Sequence, residues 1–563
     1  MGLTSKAFSD IITFSRSSNA TRIGPDGKVQ YAPHNVLTYS AAFDNAAWVK
    51  GASGVVATNV IAAPDGTVTA DKLNESASSN FQNYIQSVTQ IASTYTFSVY
   101  VKKAENDRFV MFSGSPQALL WIDMTTWTAF TTTNVVSYSI TPVGSGWYRC
   151  SMTYANTSAS SFQTGINLVQ IGSSNTVTYA GSTSNGLYAW GAQISQGSIA
   201  GDYTPTTSAA VYGPRFDYDP VTLAAKGLLI EEQRTNLATY SEQFNNAAWT
   251  KANATISANS TTAPDGTTTA DTLLDNTSAA AHYLSAGFTL TTAAYTFSVY
   301  VKSAGATWVA LEVYDGGAKL SYFNIVTGVT GSNASGNTST ITPVGNGWYR
   351  CTLTRTFAST TNDAAVYLAS ADGTFNYTGT GTSGVYLWGA QLEAGAFATS
   401  YIPTVSSSVT RSADVASVNT LSPWFNATEG TLYGEAVPLI TNTGASRGIF
   451  GMSGGTSSNS ISLYINSSGA LSGGYIANGG AAQADFTPTY SNKTALAYKL
   501  NDVNMGAGGT VGTTDTSATI PTISQVQLGD IYGGTSFKLN GWLRRIAYYP
   551  RRLTNAELQA LTA

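Results

Sequence analysis

The chain has 563 residues, of which 10% are charged and 43% hydrophobic, with a formal net charge of −4. A charged fraction well under the usual ~25% excludes a coiled coil, charged disorder and a global field drawing the chain to nucleic acid. No apolar run approaches the ~20 residues of a membrane span, while 32 Tyr, 21 Phe, 11 Trp and 54 Gly fit an all-β protein without membrane insertion.

In chain order, Met1–Lys6 opens no apolar h-region and carries Lys6 where a myristoylation motif needs Ser or Thr, so neither a secretory signal nor Gly2 acylation is expected. Residues 1–34 are read as an N-terminal hairpin that turns at Pro25-Asp-Gly-Lys28. A long repeat follows. NVLTYSAAFDNAAWVK (35–50) recurs as NLATYSEQFNNAAWTK (236–251), and YTFSVYVKKA (95–104) recurs as YTFSVYVKSA (295–304). ITPVGSGWYRC (140–150) returns as ITPVGNGWYRC (341–351), and LYAWGAQIS (187–195) as VYLWGAQLE (385–393). A period near 200 residues means tandem domains, here 35–207 and 236–410, not the short units of a solenoid.

Within each copy, Tyr95, Phe97, Val99 and Val101 alternate with Thr96, Ser98, Tyr100 and Lys102, the period of a half-buried strand. Such strands with turns between them predict a jelly-roll β-sandwich. Cys150 and Cys351 occupy equivalent mid-strand positions and are read as buried thiols that do not pair. Residues 208–235 are expected to form a connecting β-hairpin around Asp219-Pro-Val-Thr. Residues 411–563 are no third copy but a different, third sandwich, closed by a short helix that Thr554-Asn-Ala-Glu557 caps.

Two segments carry a family resemblance. GPRFDYDPVT…GLLIEEQRTNLATYSEQFNNAAWTK, then APDGTTTADTL and WGAQLE, resemble the repeated module of tailed-bacteriophage tail-fibre and head-fibre proteins. The first copy matches only from Asn35 onward. The ending FKLNGWLRRIAYYPRRLTNAEL is similar to the concanavalin A-like, laminin-G-like lectin domain that often closes such chains. The resemblance implies a virion-surface fibre or spike subunit, and the lack of a signal together with unpaired thiols fits one made in the host cytoplasm and released by lysis. It also implies host polysaccharide as ligand and a homotrimer, and on that reading residues 1–34 are expected to anchor the chain to other virion proteins.

Chemistry for catalysis is sparse. His34 and His282 are not equivalent in the repeat, lie in no metal or triad motif, and are expected at the surface or in turns. Glu231 and Glu232 point to opposite faces of a strand, one of them pairing with Arg215 or Arg234 and the other solvated, while Glu429 and Glu435 fall ~20 Å apart on an extended strand. No enzyme and no cofactor are expected. Two rival readings are a depolymerase of host capsule or lipopolysaccharide and a ligand-free decoration protein.

Sugar binding uses aromatic platforms with a few hydrogen-bonding groups. Trp48/Trp249, Trp147/Trp348 and Trp190/Trp388 occur in both copies and are read as core. The rings that differ between the copies are the ligand candidates. Trp127 aligns with Gly328, Trp121 with Tyr322, and Trp308 with Arg108. Trp127 at a turn is expected to be exposed, as a sugar platform or a subunit contact. In the last domain Trp424 and Trp542 are candidates, with Arg544 and Arg545 read as a solvated rim or a contact for anionic polysaccharide. Asp65, Asp71, Asp265 and Asp271 recur in PDGTxTAD, a turn signal with structural Ca²⁺ as the alternative, and Glu393 stands where the first copy has Ser195.

Overall fold

The computed structural model describes residues 8–51, 54–440, 444–533 and 537–563. The Met1–Lys6 stretch, with its reading as neither signal nor acylation site, lies outside them. The chain folds as two compact units, Tyr31–Gly213 and a second assembled from 1–30 and Pro214–Ala563. Among the described residues it is all-β apart from short helices at Phe8–Ile11 and Asn555–Thr562.

The unit Tyr31–Gly213 is a sandwich of two six-stranded antiparallel sheets. One runs Val135–Gly144, Trp147–Asn156, Ser93–Lys103, Gly186–Gln196, Ala70–Asn74, Val56–Ile61. The other runs Thr128–Thr133, Ala118–Asp123, Arg108–Ser113, Ser160–Leu168, Asn83–Gln90, Val49–Lys50. Alternation delivers Phe97, Val99 and Val101 from one sheet and Phe109, Met111 and Leu120 from the other into one core. Cys150 lies in that core, fully buried and unpaired. Trp147 and Trp190 are also buried, but in a satellite cluster with Ala63 and Ala70 rather than between the sheets.

The second copy repeats both sheets in the same strand order, with Cys351 in its core. Neither histidine sits at the surface as the sequence suggests. His34 is 2% exposed, with Nδ1 near the carbonyl of Ala32 (2.8 Å) and Nε2 accepting the Gln196 N–H (2.6 Å). His282 is fully buried, its ring nitrogens facing the carbonyls of Asn253 and Tyr377. Polar ring atoms go inside when backbone groups meet them, a match that single-sequence patterning does not show.

The C-terminal sandwich pairs two seven-stranded sheets, and distant segments complete both. Thr13–Ser15 pairs with Val415–Ser417 at the edge of one sheet. Ala225–Ile230, from the stretch expected to be a connecting hairpin, pairs with Gly541–Leu543 and sends Leu228 and Ile230 into the core. A charge cluster at zero side-chain exposure joins the same segments. Arg16 binds Asp414 (2.8 Å), Arg215 binds Asp414 and Glu231 (2.5 Å to Glu231), and Arg411 binds Glu231. Glu232 is a third exposed and pairs with Arg234 (2.5 Å). The closing helix has its capping box, Thr554 with Glu557.

Candidate functional site

One face of the first C-terminal sheet is built by strand alternation. Ile461, Leu463 and Ile465 enter the core, which leaves Ser460, Ser462 and Tyr464 on the opposite face. On the neighbouring strand Ile476 points in and Tyr475 out. Register sets Ser462 between Gly451 and Tyr475, and Tyr464 opposite Gly473. Both glycines are required by close approach. A Cβ on Gly473 would lie 2.1 Å from the Tyr464 ring, and one on Gly451 would lie 1.8 Å from the carbonyl oxygen of Ile531. The Tyr464 ring therefore lies against the Gly473 backbone, and the chain at Ile531 crosses over Gly451. A buried ion pair, Lys538–Asp530 at 2.7 Å, fixes that crossing segment, and Asp530 also accepts the Ile531 N–H (2.6 Å).

These pieces enclose a groove of about 360 Å³, within the ~300–1,000 Å³ range of small-ligand sites. Tyr464, Tyr475, Tyr532 and Phe537 line it with Ser446, Ser457, Ser458, Ser462, Gly480 and Ile531. Tyr532 and Phe537 meet edge to face at 5.3 Å. The Ser462 hydroxyl is buried and has no hydrogen-bond partner in the protein, and neither has the Gln527 side-chain oxygen in the same cross-strand row. Unmet buried polar atoms cost free energy unless something hydrogen-bonds to them. Among the described residues, no carboxylate, imidazole, thiol or ammonium lines the groove. The nearest carboxylate in the row is Asp485, which accepts the Tyr464 hydroxyl at 3.4 Å. Burial, with Asp485 beside it, pushes the Tyr464 phenol up to about 12, so it stays a neutral donor. Flat apolar rings beside hydroxyls, without charge, suit a neutral polyhydroxyl ligand.

The sequence candidates are placed elsewhere and do not converge. Trp127 is half-buried rather than exposed, its ring stacked on Tyr148 at 3.8 Å and 10°. Its backbone has φ 54°, the left-handed turn that Gly328 makes with φ 71° in the second copy. Trp121 neighbours Phe130 at 6.2 Å, with Arg108 over Phe130 and held by Asp123 at 3.0 Å. Trp308 packs in a cluster with Tyr322, Tyr367 and Ala310 on the outer face of its sheet. Trp424 is half-buried, lies against Tyr548 and donates to the Thr420 carbonyl. Trp542 donates to Asp217 (2.7 Å) beneath Lys226, which makes it a strut inside its unit. Arg544 lies 3.8 Å from Glu435, and Arg545 stands over Tyr433.

The acidic candidates spend their oxygens on the chain itself. Asp65 and Asp265 each bind the N–H and hydroxyl of the Thr two residues on. Asp71 accepts the N–H groups of Phe43 and Asn59, and Asp271 those of Phe244 and Asn259. Burial raises the pKa of Asp71, Asp265 and Asp271 above the ordinary carboxylate range. Glu393 is fully buried and accepts from Gln391 and from the Thr399 N–H and hydroxyl. Among the described residues no three His, Cys, Asp or Glu side chains group as metal ligands.

Sequence reasoning missed the four groove aromatics. One available signal was the polar face of SISLYI, where a Tyr shares a face with two Ser, facing a Gly-Gly pair on the next strand.

No family model matches the chain, and no curated protein matches it. Solved structures similar to it include the CBM40 of the Ruminococcus gnavus IT-sialidase bound to α2,6-sialyllactose, at 18% identity and TM-score 0.22, covering 24% of this chain and 85% of that one. The N-terminal CBM22-1–CBM22-2 tandem of Paenibacillus barcinonensis Xyn10C matches at 10% identity and TM-score 0.19, covering 68% and 100%. Domains LG4-5 of the mouse laminin α1 chain match at 11% identity and TM-score 0.17, covering 49% and 90%. At these TM-scores the likenesses assign no function.

Proposed function

We propose that the chain is a non-catalytic, glycan-binding fibre or spike subunit of a bacteriophage virion, engaging host polysaccharide through the C-terminal groove. The observation that carries the binding role is the uncharged lining of Tyr464, Tyr475, Tyr532 and Phe537 around the unpartnered Ser462 hydroxyl. Pyranose rings stack their C–H faces on such aromatics, and their hydroxyls meet the serines. A lining without an acid–base pair supports binding rather than hydrolysis, because glycosidases place two carboxyl groups ~5–9.5 Å apart. The virion setting and the homotrimer rest on the sequence resemblance, and residues 1–34 are proposed as the particle anchor on that setting alone. The reading is tested by the full chain on a glycan array and by host-cell adsorption. Binding to a host glycan that also blocks adsorption is the expected result, and the absence of both would overturn it. Clearing of host polysaccharide would replace it with the depolymerase reading.

A further inference from the structure

Between Arg447 and Lys493 the sequence holds one charged residue, Asp485. It lies on the strand Ala481–Phe486, next to Ser472–Asn478, and stands directly opposite Tyr475. Residues opposite each other in an antiparallel pair share a face, so the carboxylate and the Tyr475 ring leave the sheet side by side. Gly473 brings Tyr464 to the same place. With no Cβ there, the Tyr464 ring lies across the middle strand and its hydroxyl donates to Asp485 at 3.4 Å. Two rings and one carboxylate from three neighbouring strands therefore meet at the rim of the groove. Asp485 is exposed, and the long Tyr464 bond occupies one of the roughly four lone-pair positions that a carboxylate offers.

The other charged groups near the groove are buried and engaged. Asp530 and Lys538 bind each other at 2.7 Å, and the Arg447 side chain donates to the Ile440 carbonyl. Among the described residues Asp485 has no ion-pair partner.

We infer that Asp485 sets the ligand class of the groove: a sugar with adjacent free hydroxyls and no negative charge. The inference rests on the reading of the groove as a glycan site. With a pyranose stacked on Tyr475, hydroxyls at the ring edge fall toward the two Asp485 oxygens. Hydrogen bonds to an ionised acceptor are shorter and stronger than neutral ones. A uronic acid brings a second carboxylate to the same place, where no cation offsets the repulsion.

The test titrates the full-length chain with oligosaccharides in matched pairs, each a neutral hexose oligomer and the same oligomer with its C6 hydroxyls oxidised to carboxylates. The wild type is expected to prefer the neutral member by about tenfold or more. Asp485→Asn keeps the size and an acceptor for the Tyr464 hydroxyl but removes the charge. It should lower the neutral-to-acidic affinity ratio by about tenfold, with an unchanged circular dichroism spectrum. The wild-type ratio should also shrink as salt rises from about 0.01 M to about 1 M, because screening shortens the Debye length from ~30 to ~3 Å. A wild type that binds both members equally, or a variant that keeps the wild-type ratio, would overturn the inference and leave the groove reading standing. A wild type that binds neither member of any pair would overturn both.

Discussion

Glu231 is held between Arg215 and Arg411 with its side chain fully buried, and these guanidinium groups together with the Ser400 hydroxyl and N–H shape its titration. Burial works against its charge, yet the arginines prevail and hold its pKa down to about 2. Asp414 is lowered too, by Arg215, Arg16 and Arg411 against the same burial cost. Both carboxyls titrate lower in the folded state than in the unfolded one. Their stabilisation is therefore complete above the ordinary carboxylate range near 4.5 and is lost as pH falls toward 2. Glu231→Gln leaves two buried arginines short of a charge and should cost about 3–5 kcal/mol at pH 7. Urea melts should show the gap between variant and wild type closing as pH drops from 5 to 2. The sequence offered Arg215 or Arg234 to one of Glu231 and Glu232 and left the other solvated, whereas both are paired, and Arg411 and Asp414 were not legible because they come from about 180 residues further on. The histidines were misread for a similar reason. Their polarity is met by carbonyl and amide groups of strands distant in sequence, which no local pattern announces.

At the level of strands, alternation was informative about faces and silent about what gathers on them. The period-two reading of Tyr95–Lys102 put Phe97, Val99 and Val101 in the core, where they lie. The same rule, applied to SISLYI, predicts that Tyr464 faces away from the core. It does not say that Gly473 lets that ring settle, or that Tyr532 and Phe537 approach from a segment about 70 residues later. Gly473→Ala tests this contact. Its Cβ would press on the Tyr464 ring, so the variant should keep its spectrum and melting point within a few degrees while losing about tenfold in ligand affinity. Unchanged affinity would remove Tyr464 from the binding surface. Trp127 takes the left-handed turn position that Gly328 holds in the second copy, half-buried and stacked on Tyr148 rather than exposed as the sequence suggests.

For the whole molecule, low charge and a tandem repeat revealed an all-β chain with duplicated sandwiches, but the closing sandwich was drawn too small. Residues 411–563 lack Thr13–Ser15 and the strand Ala225–Ile230, whose Leu228 and Ile230 fill its core. Removing them exposes apolar surface and an open sheet edge. An isolated 411–563 fragment should aggregate or melt well below the intact chain, which size-exclusion chromatography and thermal melts would record. Binding experiments therefore belong to the full chain. Most direct is calorimetric titration of the full-length protein with a glycan selected on an array, comparing wild type with Tyr475→Ala. The account predicts saturable wild-type binding that falls at least tenfold in the variant, about 1.4 kcal/mol or more. Binding that is undiminished without the Tyr475 ring, or a wild type that binds no glycan, would contradict it.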